Sequence, residues 1–185
     1  MIEPGPMASR RRLLWDANVL LTGLWLGILQ WSVFFLLQSF LASTAIVYLL
    51  STTVWLMGSL AGLAMRSPRG EWPWFWAALA SYYLLRFFAM SRPYEFSMLS
   101  VLLPLVAVIG AYAGRFFRFR SRDAPGTKRL FLIENTGFLM GLVALAVLLF
   151  AYGDAVLLRA PFVLALAVAL SAAQLADGRD APPSG

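Results

Sequence analysis

Between Ala17 and Met65 the chain carries no charged side chain, and neither the period of two of a half-buried strand nor a polar helical face interrupts the run. One membrane span needs about 20 apolar residues, so this run holds two. The small and polar residues of "QSFLASTA", 38–45, suit the turn between them, which gives spans at about 17–40 and 45–65. The pattern repeats at 72–90, where Pro73 fits a first helical turn, and at 96–114, "FSMLSVLLPLVAVIGAYAG". It ends with spans at 129–152 and 155–176. The expected fold is an all-α membrane protein of six transmembrane helices. Its domain covers 15–176, with a basic tail at 1–14 and a disordered tail at 177–185.

Six spans put both termini on one side. That side holds Arg10, Arg11, Arg12, Arg66, Arg69, Arg115, Arg118, Arg120, Arg122, Lys128, Arg129 and Arg179. The other side holds Arg92, with Arg86 and Arg159 slightly deeper. By the positive-inside rule both termini are expected in the cytoplasm. The loop 115–129 is the only substantial one, and its arginines 115, 118, 120 and 122 are candidates for anionic lipid headgroups.

Composition narrows the chemistry. The chain is 61% hydrophobic and 13% charged, far from soluble proportions. It has no cysteine and no histidine. Disulfides, thiolate metal sites, His-ligated haem or zinc, and Ser-His-Asp or Cys-His catalysis are therefore excluded. No cofactor, metal or catalytic residue is expected. The isoelectric point near 10.3 reflects arginine-rich loops rather than nucleic-acid binding.

Four spans carry a GxxxG: Gly23/Gly27, Gly58/Gly62, Gly110/Gly114 and Gly137/Gly141. Each pair makes a shallow groove where another backbone can approach, inside the chain or between copies. Spans two and five share a local text, "WLMGSLAGLA" and "FLMGLVALAV", which points to two three-helix halves, as in half of a major-facilitator-like bundle.

The order of these features resembles the membrane-spanning, non-catalytic part of bacterial fused major-facilitator/spermidine-synthase-like proteins. The resemblance rests on the turn "ASTA" at 42–45, the helix ending "MGSLAG", "VLLPLVAVIGAYAG" at 101–114, the arginine-rich loop, and "RLFLIENTGFLMG" at 129–141. In the last, Asn135, Thr136, Gly137 and Gly141 stand in the matching places. The resemblance implies a bacterial inner membrane. Glu134 departs from the small residue of that pattern. The 185 residues contain no Gly-rich loop after a strand and no acidic residue placed for a ribose, so the resemblance does not carry over aminopropyltransferase activity.

The remaining candidates are polar residues inside spans. Glu134, near the cytoplasmic end of span five, is expected to pair with Arg66, Arg69, Arg115 or Arg118, with a coupling carboxylate as the sharper reading. Asn135 is expected to bond across to Ser51, Thr52 or Thr53. Arg86 is expected to snorkel outward or to join a polar cluster with Glu95, Asp154 and Arg159. Gln30 and Gln38 share a face of span one. Trp15, Trp72, Trp74 and Trp76 fit an interfacial belt, and Trp31 and Trp55 fit the core. The first functional expectation is a non-enzymatic accessory subunit docking a partner or a second copy through its glycine faces. The alternatives are a small-solute transporter or half-transporter acting as a homodimer, for a cationic or polyamine-like solute, and a membrane anchor for a separate soluble enzyme.

Overall fold

The computed structural model describes residues 6–41, 45–65, 70–124 and 126–180. The small-residue turn at 42–44, together with Arg66 and Arg69, lies outside them. The described chain is helical, without strands. Its helices are α1 (Pro6–Phe40), α2 (Ala45–Ala64), α3 (Trp72–Ser91), α4 (Leu99–Asp123, entered through a 3-10 turn at Phe96–Met98), α5 (Thr127–Tyr152) and α6 (Ala155–Asp180). Five of them are long and apolar enough to cross a membrane. α3 is the exception: its tryptophans, tyrosines, Pro73 and Arg86 hold its hydropathy down.

Several boundaries differ from expectation. Residues 6–14 belong to α1, because Pro6 suits a first turn and arginine and leucine are good helix formers. The arginine-rich stretch is mostly helix, with α4 running to Asp123 and α5 starting at Thr127. α6 continues to Asp180, so only 181–185 of the expected C-terminal tail lie outside the described helices.

The chain forms two compact units that are nested rather than consecutive. The first comprises residues up to Ile28 and from Lys128 onward: the early part of α1, with α5 and α6. Here Gly23 lies against the Glu134 carbonyl and Gly27 against the Phe138 carbonyl, while Gly137 and Gly141 meet those of Leu20 and Leu24. The paired numbers rise together, so α1 and α5 run parallel. α6 runs the other way: the Trp25 indole N–H donates to the Pro161 carbonyl at 2.8 Å, and Asn18 reaches Ser171 at 2.7 Å. Gly153, at φ +60°, makes the tight turn between α5 and α6.

The second unit runs from Leu29 to Thr127. Gly58 and Gly62 meet the carbonyls of Ala107 and Ala111, and Gly110 and Gly114 meet those of Trp55 and Ser59. α2 and α4 are therefore parallel as well. α3 is antiparallel to α4: the Phe75 and Tyr112 rings pack at 5.6 Å, and Arg120 pairs with Glu71 at 2.8 Å. The backbone N–H of Tyr94, which follows α3, donates to the Phe40 carbonyl ending α1. Tyr94 adopts φ 65°, a left-handed conformation uncommon for a non-glycine residue.

The two units share one internal register. Every glycine of the four pairs faces the carbonyl three residues before its partner helix's glycine: Gly23 faces residue 134 before Gly137, and Gly58 faces residue 107 before Gly110. Glycine Cα atoms against carbonyl oxygens form the arrangement in which Cα–H···O contacts occur. The match extends outward. α1 reads Gly-Leu-Trp-Leu-Gly and α4 reads Gly-Ala-Tyr-Ala-Gly, with Trp25 and Tyr112 both buried against the third helix of their unit. The buried stripe of α2 is Val47, Ser51, Trp55, Gly58, Gly62; that of α5 is Leu130, Glu134, Gly137, Gly141, Leu145. This register sets Gly58 in the place of Gly137. The shared text set it against Gly141, one turn away, because apolar letters align there without regard to packing.

Candidate functional site

Lipid-facing and core-facing positions are both apolar in this chain. Leu49 and Leu60 of α2 and Leu139 and Phe150 of α5 are exposed, so hydrophobicity does not mark the inside. Buried polar groups do. In the first unit they gather toward the N-terminal ends of α1 and α5. Arg129 at the start of α5 makes a two-point pair with Asp16 of α1, its Nε bonding Oδ1 at 3.2 Å. Two residues on, Asn18 is fully buried and donates through Nδ2 to Ser171 Oγ and, at 3.3 Å, to the Val168 carbonyl. That carbonyl accepts only, which fixes the amide orientation and leaves Asn18 Oδ1 buried without a hydrogen bond. Thr22 bonds back to the Asn18 carbonyl.

Glu134 belongs to the same unit. It is 8% exposed and sits in the packed stripe of α5, between Leu130 and Gly137. Among the described residues no ion pair or hydrogen bond reaches its carboxylate. The arginines expected to pair with it have other engagements or lie outside the described residues. Arg115, 1% exposed, donates to the Met65 carbonyl at 2.8 Å, and Arg118 donates to that of Leu63 at 2.6 Å. Both satisfy carbonyls at the C-terminal end of α2. Asn135 donates to the Phe131 carbonyl of its own helix at 3.0 Å. Ser51 and Thr52 both bond back to the Tyr48 carbonyl instead of to Asn135. Back-bonding of this kind is the local alternative that small polar side chains always have in a helix.

In the second unit Arg86 is 8% exposed on the packed face of α3, not extended to an outer surface. Glu95 is exposed and bonds Ser97 and Arg92. Gln30 and Gln38 are half-buried. In the first unit Asp154 and Arg159 are exposed at the α5–α6 turn and on the first turns of α6. Of the four arginines expected at lipid headgroups, Arg115 is buried, Arg120 is held by Glu71, and Arg122 is exposed beside the Phe119 ring. Of the tryptophans, Trp15 is buried; Trp31 is 38% exposed, against the expected core position, and Trp55 is buried as expected.

The residues that sequence reasoning missed are Asp16, Asn18 and Trp25. The signal for the first two was present: polar residues two apart, entering an apolar helix. No family model matches the chain, and no curated protein or solved structure matches it significantly.

Proposed function

We propose that the chain is a six-span membrane transporter built from an inverted repeat, moving a small cationic solute. The observation that carries this reading is the shared glycine register. Number the helices as two triads, α1–α3 and α4–α6. The first unit then takes its leading helix from the first triad and the other two from the second, and the second unit does the reverse, with the later part of α1 from Leu29 added. Membrane spans alternate in direction along a chain, so triads of three spans have opposite orientation. Inverted repeats of three spans are a recurring plan of secondary transporters, including each half of the major-facilitator type.

The parallel run of α2 and α4 supports the sixth span, since a chain leaving α2 must cross back through α3 to enter α4 in the same direction. The basic asymmetry then supports cytoplasmic termini. The accessory-subunit reading loses its main support, because all four glycine pairs are occupied inside the two units. We further propose that the chain is related to the membrane part of fused major-facilitator/spermidine-synthase-like proteins, a kinship that agrees with this plan.

The test is uptake of labelled diamines and of inorganic cations into liposomes holding the purified chain, with its mass measured in the same preparation. Saturable uptake is expected. Absence of uptake, together with a larger partner in fixed ratio after mild solubilisation, would overturn the proposal in favour of a subunit role.

A further inference from the structure

The repeated register isolates Glu134. In the second unit the equivalent position, three residues before the first glycine of the pair, is Trp55. An apolar ring therefore completes the same packing, and the zipper has no need of a carboxylate. Burying one in a membrane helix is costly without a partner, and charged groups kept there mark ion or proton paths. Glu134 is more than nine-tenths buried, and no cation meets it among the described residues. A second unmet acceptor lies in the same unit, the Asn18 Oδ1. The two face different helices: Glu134 packs against Gly23 of α1, whereas the Asn18 amide is turned to Val168 and Ser171 of α6. Glu134 is thus a buried acceptor with no donor among the described residues, and one arriving proton neutralises it.

We propose that the Glu134 carboxyl is a proton-exchange site inside the membrane, and that its loading couples solute movement to a proton gradient. Among the described residues, the other charged groups on α1, α5 and α6 in this unit do not neutralise it. Asp16 and Arg129 pair with each other, and Arg11, Arg12, Lys128, Asp154 and Arg159 are exposed. Coupling rests on the transport reading; proton exchange does not.

The experiment uses the full chain in liposomes with dicyclohexylcarbodiimide, an apolar reagent that adds to protonated carboxyl groups. Mass spectrometry locates the adduct. Glu134 is expected to be labelled, severalfold less as the pH rises from acidic to alkaline, and Glu134→Gln to lack the adduct while keeping wild-type elution and melting. If the carboxyl labels only after unfolding, proton exchange is overturned. Uptake of a diamine is then driven by a pH gradient or, separately, by a sodium gradient at equal pH. Glu134→Gln should abolish the pH-driven component and Glu134→Asp should retain part of it. A Glu134→Gln protein that responds to pH like wild type, or a wild type driven by sodium alone, overturns coupling. A wild type that labels but moves no solute sinks the transport reading and leaves the proton site standing.

Discussion

Trp25 and Trp31 lie six residues apart on one apolar helix and have opposite fates. Trp25 is fully buried, with its indole N–H on the Pro161 carbonyl, while Trp31 is 38% exposed. Trp25→Phe loses that hydrogen bond, which in membrane helices averages about 0.6 kcal/mol, and leaves a gap that adds to the cost. A drop in melting temperature of the detergent-solubilised protein is expected for Trp25→Phe. Trp31→Phe should be silent within about 0.5 kcal/mol. The sequence did not separate these two rings, because a ring packed on helices and a ring in lipid share the same apolar neighbours. Polar letters were more legible. Glu134 is the one acidic letter in the apolar run 129–152 and it is buried, whereas nothing in the sequence marks Arg115 and Arg118 as bonded to the carbonyls of Met65 and Leu63.

At the scale of elements the glycines carry most of what was legible. The four GxxxG pairs were visible as grooves; which groove meets which was not, since any two such faces fit in principle. The structure pairs first with fourth and second with third in chain order, at one register. The consequence is steric. A Cβ at Gly58 would lie 3.0 Å from the Ala107 carbonyl carbon, and one at Gly114 would lie 2.7 Å from the Leu63 backbone nitrogen. Backbone in a packed pair cannot swing aside as a side-chain end can. Gly58→Ala and Gly114→Ala should each cost about 1–3 kcal/mol, the usual range for overpacking. Gly126→Ala, with nothing within 4 Å, should cost almost nothing. Melting of the three variants in one detergent checks this. Equal melting of all three would mean the helix pairs stand farther apart than described.

At the scale of the whole molecule the open point of topology is α3, and it can be argued from direction alone. Its hydropathy falls short of a span, yet it joins two parallel helices. Arg86, the one charged residue of α3, is enclosed within the unit, so the charge that lowers its hydropathy does not face outward. The chain has no cysteine, so single substitutions report sidedness without a background. Gly70→Cys and Arg92→Cys flank α3, while Gly126→Cys and Tyr152→Cys flank α5, a helix apolar enough to span on any reading. In intact cells an impermeant maleimide should label 92 and 152, with 70 and 126 reacting after permeabilisation. Labelling of 70 and 92 from one side would remove α3 from the spans. The chain would then lose both the inverted triads and the shared side of its termini, and the transport reading would fall with them.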